Sequence, residues 1–196
     1  MPSAQPQPTV APTSAPATPT PTPARTSPPA TASPAAAPTP TPTPTAVASC
    51  PDQQGGTANS VTQLVAVRIA HHPGFDRIVF ELGPSGPPAE YRMPEWRLSV
   101  ATSFTDTAGR DVQIDGNAWL GLNFQGNSIV DANTGQVTYT GPTELRPGTP
   151  LVRHVRLIED FERVQVWGIG LERLACASVL ELTDPVRLVL DLPTPP

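Results

Sequence analysis

From residue 64 to residue 82 the chain alternates between apolar and small or polar side chains. In LVAVRIA (64–70), Val65, Val67 and Ile69 stand on one parity against Ala66, Arg68 and Ala70 on the other. In DRIVFEL (76–82), Ile78, Phe80 and Leu82 likewise oppose Arg77, Val79 and Glu81. A period of two predicts half-buried strands, and Pro73-Gly74 between the runs predicts that they form an antiparallel hairpin. Further along, strands are predicted at 89–93 and 96–101, with Pro94 between them at an edge or bulge. AGRDVQIDGNAWLGLNF (108–124) reads as two more strands around Asp115-Gly116, the second with Ala118, Leu120, Leu122 and Phe124 on one face. Residues 125–150 are polar and rich in Gly, Asn, Thr and Pro, which predicts a long surface excursion with strand only at VTY (137–139). LVRHVRLI, VQVWGIGL, ASVLEL and VRLVLDL then supply four strands at short spacing. No useful stretch carries a 3.6-residue apolar period. The expected fold is all-β, a β-sandwich or flattened barrel of about nine or ten short strands. RIVFEL (77–82) and RLVLDL (187–192) share one pattern, which is either the common form of a half-buried strand or the mark of a duplicated sandwich with pseudo-twofold symmetry.

Composition changes the picture at the N-terminus. Sixteen of the 28 prolines fall within the first 51 residues, where Arg25 is the only charged side chain. Such a segment lacks the apolar surface to offset its ordering entropy, so residues 1–57 are expected to be a disordered Pro/Thr/Ala-rich tether. Its reach is roughly 40 to 150 Å, depending on how much of it adopts polyproline II. Residues 58–193 then make one domain of common size, and 194–196 a short tail. All 12 cations are arginine and the net charge is -5, so the basic footprint of a nucleic-acid binder is missing. No apolar run is long enough to cross a bilayer as a helix. VASC (47–50) has the small residues of a lipobox but follows PTPTPT instead of an apolar stretch, so it is not read as one; if the protein is exported, its signal is expected upstream of Met1.

Candidate chemistry is sparse. HHPGFD (71–76) gathers two histidines and an aspartate, yet adjacent residues of an extended chain point to opposite sides, so His71 and His72 do not converge on one metal. Asp76 is read as capping the turn and the histidines as a solvent-facing strand end. His154 lies between Arg153 and near Arg156, whose charges oppose a bound cation. DANTG (131–135) has the opening of a calcium loop without its closing glutamate and reads as a turn. No nucleophile motif is present, and Glu159, Asp160 and Glu162 read as solvated charge. No catalytic residue, metal ligand or cofactor is assigned. Trp119 is out of phase with its apolar neighbours and shares a face with Gly121 and Asn123. It is either an exposed platform for a sugar, with Asn123 beside it, or packed under the 125–150 excursion. Arg77 and Arg187 hold matching places in the similar strands, where they serve as further ligand contacts or pair with Glu81 and Asp191 on an outer face.

VRIAHHPGFDRIVFEL, DFERVQVWGIGLE and VLELTDPVRLVLDL together resemble the AMIN-like domain of bacterial envelope proteins and lipoproteins, and more distantly the AMIN domain of cell-wall amidases. The resemblance covers about residues 61–193. It implies an extracytoplasmic, non-catalytic binding module, with peptidoglycan or another cell-wall glycan as the leading ligand. An envelope protein partner is the second expectation and a hydrolase assembled across loops the third. An even count of two cysteines in an exported chain points to a Cys50–Cys176 disulfide; the alternative is a free Cys50 and a small buried Cys176.

Overall fold

The described residues, 49–85, 91–131 and 133–195 of a computed structural model, contain ten strands and no helix. They are β1 (Gln53–Gly55), β2 (Thr62–His72), β3 (Phe75–Pro84), β4 (Glu95–Ala101) and β5 (Ala118–Gln125). After these come β6 (Glu144–Leu145), β7 (Val152–Phe161), β8 (Val164–Leu171), β9 (Ser178–Leu182) and β10 (Arg187–Pro193). Two antiparallel sheets result, ordered β1-β4-β5-β8-β7-β6 and β2-β3-β10-β9, so the fold is a sandwich and not a closed barrel. Most of the segment expected to form the tether lies outside the described residues.

Alternation decides which side chains meet between the sheets. Ile78, Phe80 and Leu82 of β3 and Leu188, Leu190 and Leu192 of β10 face Leu120, Leu122 and Phe124 of β5 and Trp167 and Ile169 of β8, all fully or almost fully buried. Phe80 stands edge-on to Phe124 and Trp167, with centroids 5.8 and 5.5 Å away. Each such side chain contributes about 1.5–3 kcal/mol by leaving water. A polar chain is buried with them: Thr62 Oγ1 donates to Asn127 Oδ1 (2.9 Å), and Asn127 Nδ2 to Gln165 Oε1 (2.8 Å), which also accepts from Trp167 Nε1 (3.0 Å). Gln165 Nε2 in turn donates to Asp160 Oδ1 (3.1 Å), so both amides of the chain are paired at each end, as their burial requires.

Several elements differ from the pattern. A β-bulge at Val65 moves Leu64 and Val67 onto the core face and leaves Val65 45% exposed, so Val65 does not share the face of Val67 and Ile69. The strand expected at 89–93 is not present in its described part: Tyr91 instead bridges sheet ends, donating to Leu82 O (2.6 Å) and accepting from Val186 N–H (3.2 Å). Residues 86–90 lie outside the described residues. AGRDVQI forms no strand but the far arm of a tight loop, joined by a single Thr105–Asp111 bridge. VTY forms only a bridge from Val137 to Val130, and the 125–150 excursion is not wholly superficial, since Asn127, Ser128, Tyr139 and Thr149 are buried. It leaves β5 by crossing to the other sheet, where Thr62 N–H bonds to Gly126 O and Leu64 N–H to Ser128 O. β1 falls within the stretch whose composition reads as linker.

The similar strands turn out to be β3 and β10, neighbours in one sheet. Antiparallel pairing sets Arg77 opposite Asp191 and Arg187 opposite Glu81. The likeness therefore reflects a local twofold within one ladder.

Candidate functional site

The six-stranded sheet has an outer face of two unlike halves. On one half, glycines at 121, 168 and 170 leave a floor without side chains, and the β4–β5 connection folds down onto it. Phe104 and Ile114 fill that floor: a Cβ placed on Gly168 would stand 3.1 Å from Ile114 Cδ1 and 3.2 Å from Phe104 Cε2. The connection is rigid in its own right, because Asp106 accepts from Ala108 N–H, Arg110 N–H and the Arg110 guanidinium. Its far end is pinned by His154, a wholly buried side chain whose Nδ1 accepts the Asp115 N–H at 3.1 Å. Burial pushes the His154 pKa down and nearby Arg146 adds to this, against the opposing pull of Asp115 and Glu144.

The other half is open. An exposed groove of about 560 Å³ runs across β1, β4 and β5, lined by Gln54, Glu95, Arg97, Asn123 and Gln125. Their side chains project outward because they alternate with Trp96, Leu98, Leu122 and Phe124 in the core. Gln125 donates to Asn123 (2.9 Å) and Arg97 pairs with Asp52, whereas Gln54 and Glu95 make no side-chain bond among the described residues.

One wall of this groove is β1. Cys50 and Cys176 form a disulfide, with Cα atoms 5.2 Å apart, which ties the strand beside β9. Gln53 Nε2 donates to Ala177 O (2.8 Å), and Glu181 Oε1 accepts from both Gly56 N–H (2.9 Å) and Trp96 Nε1 (2.7 Å). Three residues that carry no apolar pattern thus become an ordered edge strand.

The residues singled out in the sequence divide between opposite sides of the sandwich. Trp119 and Asn123 lie on the outer face just described. Trp119 is half-buried by the 102–114 segment, not by the 125–150 excursion, and donates from Nε1 to Ile114 O (2.9 Å). Arg77 and Arg187 lie on the outer face of the four-stranded sheet. Arg77 makes a bidentate pair with Asp191 (2.7 and 2.7 Å) and sits over the Phe75 ring, while Arg187 donates to Pro185 O. Glu81, opposite Arg187, pairs with Arg68 instead.

Asp76 has a larger role than a turn cap. It is 0% exposed, with Oδ1 2.8 Å from His71 Nδ1 and Oδ2 accepting from Leu151 N–H (2.8 Å) and Val152 N–H (3.0 Å). Burial raises its pKa, but hydrogen bonds from Thr149, Val152, His71 and Leu151 outweigh that and hold it below the ordinary carboxylate value. Its sequence signal is parity: Asp76 stands in phase with Ile78, Phe80 and Leu82, a carboxylate at a core position. Among the described residues no group of three or more His, Cys, Asp or Glu side chains is placed to hold a metal ion.

Searches among curated proteins and among solved structures return no match. A comparison with protein families matches residues 62–194 to the AMIN-like domain, a span that takes in β2 to β10 and both sheets. The chain belongs to the AMIN-like domain family of extracytoplasmic, envelope-associated modules.

Proposed function

We propose that this domain holds its protein at the cell envelope by binding peptidoglycan or a related cell-wall polymer in the groove across β1, β4 and β5. The observation that carries the reading is that groove itself, about 560 Å³ in volume and lined by three amides, a carboxylate and a guanidinium. A wall polymer offers matching chemistry along its length, in hydroxyls, acetamido groups and peptide carboxylates. Gln54 and Glu95 have polar groups not engaged among the described residues. Polar side chains on a rigid sheet need little reordering to bind, which favours contact with a long, repetitive ligand. A binding role accords with both cysteines being taken up in a disulfide and with the Asp76 carboxylate being engaged by the backbone N–H groups of 151 and 152.

A second reading, a protein partner in the envelope, draws on the opposite face. There Leu180 and Leu182 are 46% and 36% exposed on edge strand β9, beside the ion pairs Arg68–Glu81 and Arg77–Asp191.

Co-sedimentation of the full chain with purified sacculi separates the two. Retention of the wild type, with loss of several-fold in Gln54→Ala/Asn123→Ala at unchanged melting temperature, is the expected result. No sedimentation at high sacculus concentration sinks the polymer reading and leaves the partner face.

A further inference from the structure

Beside the groove, on the same face, is a second concavity of about 200 Å³ between the 102–114 segment and β5. One wall is the half-buried indole of Trp119. Its Nε1–H is taken by Ile114 O at 2.9 Å, which fixes the ring and removes its one polar atom from the pocket's chemistry. Around it stand the hydroxyls of Thr102 and Ser103, the carboxylate of Asp111 and the amide of Gln113. All four are exposed, and none makes a side-chain hydrogen bond among the described residues. The tip of the same loop behaves differently, since Asp106 and Arg110 are fully engaged with each other and with the local backbone. Thr105 and Thr107 at that tip are also exposed without side-chain bonds among the described residues, so what sets the pocket apart is that four open polar groups stand around one indole.

We infer that this pocket is a binding site for one pyranose ring. An aromatic wall takes the apolar C–H face of a sugar, while a carboxylate, an amide and two hydroxyls at its rim suit ring hydroxyls that both donate and accept. The volume falls below the ~300–1,000 Å³ of sites for drug-sized ligands, which limits the occupant to a single ring. Trp119 and Asn123 are four residues apart on β5, roughly 13 Å at the rise of a strand, with Phe104 over Gly121 between them, so a glycan reaching both the pocket and the groove passes over Phe104. The inference rests on the polymer reading only for the source of the sugar. The pocket's affinity for a free ring is a separate property.

The test is saturation-transfer NMR on the full chain with N-acetylglucosamine and with methyl glucoside as probes. Transfer from protein to ring protons is expected, with millimolar affinity. Asp111→Ala and Gln113→Ala should each weaken it about fivefold, the worth of one hydrogen bond. Both side chains are exposed, so circular dichroism and melting temperature stay unchanged. Gln54→Ala, in the groove, should leave transfer intact. Absence of transfer to either sugar overturns the inference, as does transfer that survives Asp111→Ala and Gln113→Ala in full or falls equally in Gln54→Ala. Sacculus binding without sugar transfer would remove the pocket and spare the groove. Sugar transfer without sacculus binding would support the pocket and remove the polymer reading.

Discussion

Asp76 shows how one side chain joins three parts of the fold. Its carboxylate closes the β2–β3 hairpin through His71 and receives the N–H groups of Leu151, just before β7, and of Val152, its first residue. Asp76→Ala leaves those buried donors without an acceptor and should cost about 3 kcal/mol, given roughly 1–3 kcal/mol for each buried group left unpaired. Urea denaturation measures this directly; a loss under about 1 kcal/mol would show that water replaces the carboxylate. The pH dependence follows from the direction of the shift. Because the folded pKa is lowered, the unfolded chain binds the proton first as pH falls. Asp76 therefore stabilises the fold fully above its unfolded pKa, about 3.9, and this contribution is lost as pH drops through the lower folded value. Asp76→Asn, which cannot ionise, should flatten the acid limb of the stability profile below about pH 4.

At the scale of elements, the 102–117 connection depends on what β5 and β8 lack. A Cβ on Gly170 would stand 1.9 Å from Asp115 O and 2.8 Å from Ile114 Cγ2, whereas one on Gly121 would rest 3.6 Å from Phe104 Cε1, an ordinary contact. Gly170→Ala should thus lift the connection and lose about 2–3 kcal/mol, as overpacking does, while Gly121→Ala should be neutral within about 0.5 kcal/mol. Equal effects in thermal melts would mean that the connection is not seated as described. The WGIGL pattern marks β8 as a strand, but the reason for its glycines lies in a loop some fifty residues upstream, beyond the reach of local periodicity. The same limit separates the other successes from the failures. Strands β2, β3, β4, β5, β7, β8, β9 and β10 were legible because each is long enough to carry an alternating or apolar run of its own, bulges notwithstanding. β1 and β6, three and two residues long, carry no period of their own and exist because longer neighbours present an edge. AGRDVQI has the alternation of a strand, yet Asp106 with Ala108 and Arg110 makes a local turn that satisfies the backbone without a ladder. For the site, parity correctly set Trp119 and Asn123 apart from the core. It could not show that Arg77 and Arg187 face the other way, since which sheet a strand joins is a tertiary fact.

On the scale of the whole molecule, the disulfide governs whether the groove has two walls. Cys50–Cys176 closes a loop of sequence separation 126, and in the chain-entropy account removing it costs roughly 4–5 kcal/mol of global stability. The local consequence is sharper. β1 holds itself by a short ladder with β4 and by the bonds of Gln53 and Gly56, at about 1 kcal/mol each. Ordering the backbone of residues 50–56 costs roughly 1–2 kcal/mol per residue, which exceeds that return once the covalent tie is gone. Reduction by a dithiol, which becomes oxidised as two cysteine thiols form, should therefore release β1 while both sheets persist. Hydrogen exchange on the native protein reads this: the β1 amides that bond into the ladder with β4 should lose protection after dithiothreitol, while those of Leu122 and Ile169 keep theirs. Cys50→Ser should behave as the reduced protein does. If the polymer binds where proposed, sacculus retention falls in the same samples, because Gln54 leaves the groove with its strand. The sugar pocket at Trp119, built from residues 102–119 alone, should be unaffected. Protection of β1 that survives reduction would show the hydrogen bonds to Ala177 and Glu181 to be sufficient, and the groove to be independent of redox state.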